Sequence, residues 1–119
     1  MRVLVFLIVL LILPISPAWP WSKADTGREI LYQGLHLIDW AQTITIAQNP
    51  DQYHENNFIL GKHPSVAGVN IYMGASAILH LSLTLLVPDH YRGLWQWASI
   101  IGTAYVVGRN HHIGVRISL

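Results

Sequence analysis

Apolar positions fall along this chain in long blocks divided by short polar breaks. The first block, Val3 to Leu13, is unbroken, follows Met1 and Arg2, and is stopped by Pro14 and Pro17. A spanning helix needs about 17–25 apolar residues, whereas the core of a signal peptide needs about 7–15. The run is therefore read as a signal peptide over residues 1–18, with a retained N-terminal anchor as the alternative. Ser16-Pro17-Ala18 is a small-x-small tripeptide suited to signal peptidase, and Ser22-Lys23-Ala24 is a second. Trp19 and Trp21 suit a membrane interface in either case.

The next block predicts a helix from Thr26 to Gln48, with Asp25 or Thr26 as its cap and Glu29 completing a capping-box pattern. Ile30, Leu31, Leu35, Leu37, Ile38, Trp40, Ile44 and Ile46 surround it, and Arg28, Glu29, His36 and Asp39 interrupt it. Such a helix either spans the bilayer or lies in its interface. Asn49-Pro50-Asp51 stops it, and the polar stretch to Pro64 reads as a loop. Ser65 caps a third block, Val66 to Val87, which has no Asp, Glu, Lys or Arg and is the clearest spanning segment. Pro88 to Arg92 reads as a tight polar turn. Gly93 to Gly108 is a further uncharged run, with Trp95 and Trp97 at one end and Tyr105 near the other, the aromatic placing of a spanning helix. These last two helices are expected to form an antiparallel hairpin. Ala67, Asn70, Gly74 and Ala77 on the first, and Ser99, Gly102 and Thr103 on the second, would let backbones approach, within one subunit or between copies.

Composition strengthens the membrane reading. Of 119 residues, 52% are hydrophobic and 11% charged, against roughly 25% charged in an average soluble domain. The fold class expected is all-α, a small integral membrane helical bundle over residues 25–119. It has three helices after a signal peptide, or four with the anchor kept. The net charge is +1 and no run of Lys or Arg occurs, so no nucleic-acid footprint is present. With four crossings and the N-terminus inside, Lys62, Arg109 and Arg116 join Arg2 on the inside, against Lys23, Arg28 and Arg92 outside. That bias leans only slightly to a cytoplasmic tail. The absence of Cys excludes disulfides, cysteine-ligated metals and a thiol nucleophile.

Chemistry is sparse. His36 and Asp39, three apart on a helix, share a face, with Thr43 following. His80 sits deep in the clearest span, with Ser76 and Thr84 a turn to either side. Ionisable groups inside a membrane helix are costly and mark candidate sites. His36, Asp39 and His80 together have the ligand chemistry of a divalent transition metal, and Thr43, Glu55 and Asn70 are further polar candidates. Packing through hydrogen bonds is the plainer role for all of them. His54, Lys62 and His63 read as solvated loop residues, and His111-His112 as neighbours that do not face one another. No HExxH, GxSxG or phosphate-binding glycine loop is present, so no catalytic residue and no cofactor is assigned.

The order Asp39-Trp40-Ala41-Gln42-Thr43, Glu55-Asn56-Asn57, Leu60-Gly61-Lys62-His63-Pro64-Ser65 and Asn70-x-Tyr72 resembles a group of small membrane proteins of bacteria and their prophages. The pattern there is roughly D-W-x-Q-T, E-x-N-P and L-G-x-H-P-S, with no activity attached. This chain has Phe58 where Pro is usual, so the turn after Glu55 is expected to differ. The resemblance implies a membrane protein of bacteria or their phages, and with the helices above the localisation expected is the bacterial inner membrane, multi-pass. The leading expectation is a non-enzymatic protein acting through contacts in the bilayer, with itself or with another membrane protein. One alternative is an intramembrane metal or proton site. The other is a prophage factor in lysis or exclusion.

Overall fold

The computed structural model describes residues 18–117. The expected signal peptide or anchor therefore lies outside the described residues, apart from Ala18.

Three helices and no strand make up the described chain: α1 (Lys23–Gln48), α2 (Val66–Leu86) and α3 (Asp89–His112). α1 starts three residues before Thr26. Ser22 is its cap: the Ser22 hydroxyl accepts from Asp25 N at 3.1 Å, and Asp25 Oδ2 accepts from Ser22 N at 2.9 Å. The capping box thus exists one turn earlier than the Thr26–Glu29 pattern, and Glu29 is free to point inward. The second cleavage tripeptide, Ser22 to Ala24, forms this capping turn. α2 begins as expected, with Ser65 Oγ accepting from Gly68 N, and ends before Pro88.

The Pro88–Arg92 segment is not a separate turn. Pro88 caps α3 and its carbonyl accepts from the amides of Tyr91 and Arg92, so Asp89 to Arg92 is the first helical turn. Proline suits this place because it lacks an amide proton, and an acidic Asp89 suits the positive end of the helix dipole. α3 stops at Ile113, where Gly114 takes φ +100° to turn the chain back. The tail then packs on α1, where Thr45 Oγ1 donates to Arg116 O at 2.9 Å and Val115 is buried.

α1 is the central helix, packed against both others, while α2 and α3 touch little except near the turn between them. The expected hairpin of the last two helices is therefore not a packed pair. The reason lies in α1, which reaches α2 through Gln33 and His36 and α3 through Arg28 and Gln42. Of the small residues expected to bring backbones together, Gly74 and Ala77 are buried, but a side chain at Gly102 would meet nothing within 4 Å.

The apolar core is small: Trp40, Val69 and Met73, with Ile44, Ala47, Leu60 and Tyr72 packed around it. Much of the remaining interior is polar. Asp25, Glu29, His36, Gln42, Thr43, His80, Thr84, Arg92, Gln96 and Asn110 are all buried, while Ile30, Leu37, Ile71, Leu79, Leu94 and Ile101 are exposed. Only α2, among the described residues, is both long and apolar enough to count as a span on its own. α1 and α3 fall short because each carries the charged and amide side chains that fill the interior.

Candidate functional site

Position along α1 explains the polar interior. Asp25, Glu29, Tyr32, His36 and Thr43 recur at helical spacing and are all buried, so one face of α1 is a polar stripe some 18 residues long. At about 1.5 Å per residue this stripe covers roughly 27 Å.

At its N-terminal end the stripe meets α3. Arg92 has no exposed surface. Its guanidinium donates to Asp25 Oδ2 at 3.0 Å, Pro20 O at 2.6 Å, Thr84 O at 3.1 Å and Val87 O at 3.1 Å, and the Trp21 ring lies 4.8 Å away. The other Asp25 oxygen accepts from Arg28. Arg28 Nε also donates to Gln96 Oε1 at 2.8 Å, and Gln96 Nε2 donates to the Asp25 carbonyl at 2.9 Å. Each buried charge here thus has an opposite charge and directional bonds, the condition under which buried ions are tolerated.

One turn further on, Glu29 and His80 form a second pair. Glu29 Oε1 lies 3.1 Å from His80 Nδ1 and accepts from Gln33 Nε2 at 2.9 Å, and Gln33 also donates to Ala77 O at 3.2 Å. The imidazole is stacked between the ring of Tyr32, 3.5 Å away between centroids, and that of Trp95, 5.1 Å away. Trp95 Nε1 donates to Thr84 Oγ1 at 2.8 Å. Among the described residues, Glu29 Oε2 and His80 Nε2 are buried with no hydrogen-bond partner.

The opposite end is built differently. Glu55 Oε1 accepts from the amides of Asn56 and Asn57, and the Glu55 amide donates to Lys62 O at 2.8 Å. Asn57 Oδ1 accepts from Ile59 N, its Nδ2 donates to the Tyr72 hydroxyl at 2.8 Å, and Gly61 takes φ +80° to close the loop. The Asn57 side chain therefore closes the turn that runs through Phe58. Trp40 Nε1 donates to Asn70 Oδ1 at 2.8 Å. Elements of the D-W-x-Q-T, E-x-N and x-Tyr pattern, scattered over more than thirty positions of sequence, so meet at one end of the bundle.

The residues singled out in sequence do not share one site. His36 Nε2 lies 2.9 Å from Met73 O, and the Tyr32 ring stands next to both His36 and His80. Asp39 is half-buried; its side chain receives only a long 3.4 Å contact from Thr43, whose hydroxyl donates to the Asp39 carbonyl at 2.8 Å. Among the described residues, no group of three His, Cys, Asp or Glu side chains is placed to hold a metal ion. Asn70 serves Trp40, and Glu55 holds its own loop together. Asp25, Glu29, Gln42, Arg92, Gln96 and Asn110 carry the interior and were not singled out. The spacing of Asp25 and Glu29 ahead of His36 is the signal that reveals the first two. Comparison with family models, with curated proteins and with solved structures gives no match.

Proposed function

We propose that this chain is an integral membrane protein whose helices lie across the bilayer and which acts through contacts made there. The observation that supports this most is the reversal of inside and outside: charged and amide groups fill the interior while large apolar side chains cover the helices. Water would favour the opposite arrangement, and lipid favours this one. At about 1.5 Å per residue, helices of 26, 21 and 24 residues measure roughly 31–39 Å, enough for a hydrocarbon layer of about 30 Å.

Contact with another helix is supported by the outer face of α1. Gly27 and Gly34 repeat at seven residues, have open space where a side chain would stand, and are flanked by exposed Ile30, Leu31, Leu37 and Ile38. Small residues on a lipid-facing side allow close backbone approach. Orientation also sharpens. Arg28 is largely buried and Arg92 wholly so, both in ion pairs, so among the described residues the exposed Lys and Arg side chains are Lys23 at one end and Lys62 and Arg116 at the other. The positive-inside rule then favours a cytoplasmic loop and tail, in keeping with the bacterial inner membrane that the resemblance implies.

The lack of native Cys makes the test direct. Single cysteines at Ile71, Leu79 or Ile101 should resist an impermeant maleimide in inside-out membrane vesicles, while one at Asp51 or Phe58 should react. The protein should stay in the membrane on alkaline extraction. Release by alkali, with all five positions reactive, would refute the membrane reading. Gly34→Leu should weaken self-association or partner crosslinking without altering the fold. Unchanged association would refute the role of this face alone.

A further inference from the structure

We propose that Glu29 and His80 form a buried proton-acceptor site in which His80 Nε2 is the atom that takes up the proton. The inference goes beyond the membrane reading and does not depend on it.

Hydrogen accounting sets the starting state. Thr84 has one hydroxyl proton, and it is spent on the His80 carbonyl, 2.7 Å away. Toward His80 Nδ1, Thr84 Oγ1 therefore offers only a lone pair, at 3.4 Å. The other neighbour of Nδ1 is the Glu29 carboxylate, at 3.1 Å, also an acceptor. Nδ1 must then carry the hydrogen and donate it to Glu29. Charge gives the same answer: Asp25 and Glu29 are balanced by Arg28 and Arg92, so this end of the interior is neutral when His80 is neutral. A neutral ring with its hydrogen on Nδ1 has a free lone pair on Nε2. That atom is buried and has no partner, as is Glu29 Oε2. The side chains of His80 and Glu29 are 6% and 10% exposed.

The surroundings suit the product of proton uptake as well. When Nε2 gains a proton the ring becomes an imidazolium, with the Glu29 carboxylate already bonded to its other nitrogen. The faces of Tyr32 and Trp95 lie on its two sides, where an aromatic ring attracts a cation. Around it, Glu29 on α1 favours the added charge. His36 on α1, when itself protonated, and Arg92 on α3 oppose it, and Tyr32 is neutral. One N–H bond forms at Nε2 with a proton from solvent hydronium, which leaves as water; because Nε2 is buried, the packing around it must open briefly to admit the proton.

The test is nitrogen NMR on the full-length protein, labelled at histidine and held in detergent micelles, with His80→Gln identifying the His80 signals. At neutral pH the wild-type ring should show a protonated Nδ1 and a lone-pair Nε2, and acidification should place a proton on Nε2. In Glu29→Gln, where the carboxylate beside Nδ1 is gone, Nε2 should carry less proton than in the wild type at the same acidic pH. A neutral ring with its proton on Nε2 would overturn the proposal, as would an Nε2 that stays unprotonated through acidification. Reading the wild-type form first means that a poorly folding variant cannot decide the matter.

Discussion

The two ends of the bundle are held by opposite means. Where α1 begins and α2 meets α3, the Arg28 and Arg92 guanidinium groups and the Asp25 carboxylate are locked together with Gln96 and the Pro20, Thr84 and Val87 carbonyls. Where α1 ends and the loop closes, Trp40, Val69 and Met73 form an apolar core and the loop is stitched by Glu55 and Asn57. At the first end ion pairs join the helices; at the second, uncharged hydrogen bonds such as Trp40–Asn70, Asn57–Tyr72 and Asn110–Gln42 do so, and the carboxylate of Glu55 holds only its own loop. Asp39 and Arg109 remain half-open there, with Arg109 Nε unpartnered and its terminal nitrogens 3.1 and 3.3 Å from the Asn56 amide oxygen in the orientation that satisfies both groups. The difference teaches that charge can organise this interior only where it is balanced and fully bonded.

That contrast predicts a ranking of substitutions, read as stability against denaturing detergent. Arg92→Met should cost most, about 3–5 kcal/mol, because it leaves Arg28 as the one cation on the Asp25 carboxylate and frees the Thr84, Val87 and Pro20 carbonyls. A cost under about 1 kcal/mol would mean that the ion pair does not hold the three helices together. Gln96→Leu should cost roughly 1–3 kcal/mol, since Arg28 Nε and the Asp25 carbonyl lose their partner in a fully buried place. At the other end Trp40→Phe keeps the apolar contacts and removes one hydrogen bond to Asn70, for about 1 kcal/mol. Asp39→Asn should shift stability least, within about 0.5 kcal/mol, as its carboxylate has only the 3.4 Å contact with Thr43. If Asp39→Asn destabilised as much as Gln96→Leu, the two ends would not differ as described.

The loop end was the more legible of the two. Ser65 as the α2 cap and the break at Asn49-Pro50 are both local features. The charged end was harder. Arg92 reads in sequence as part of a polar turn between spans, because an Arg next to Asp, His and Tyr is normally solvated. Only the helical start at Asp89 turns it inward, and only α1 supplies the carboxylate that lets it stay there.

By itself, then, the sequence determined that the described chain is helical, where α2 starts and stops, and that only 11% of its residues are charged. Those conclusions rest on periodicity, caps and composition, which act over a few residues or over the whole chain at once. The tertiary structure decided which polar residues are partners. Asp25 and Arg92 are 67 positions apart, and Glu29 and His80 are 51 apart. No local rule relates positions so distant. α1 occupies the middle of the bundle because its stripe of Asp25, Glu29, Tyr32 and His36 finds bonding partners on both neighbours, and in a low-dielectric interior leaving such groups unbonded costs more than apolar packing between α2 and α3 would return.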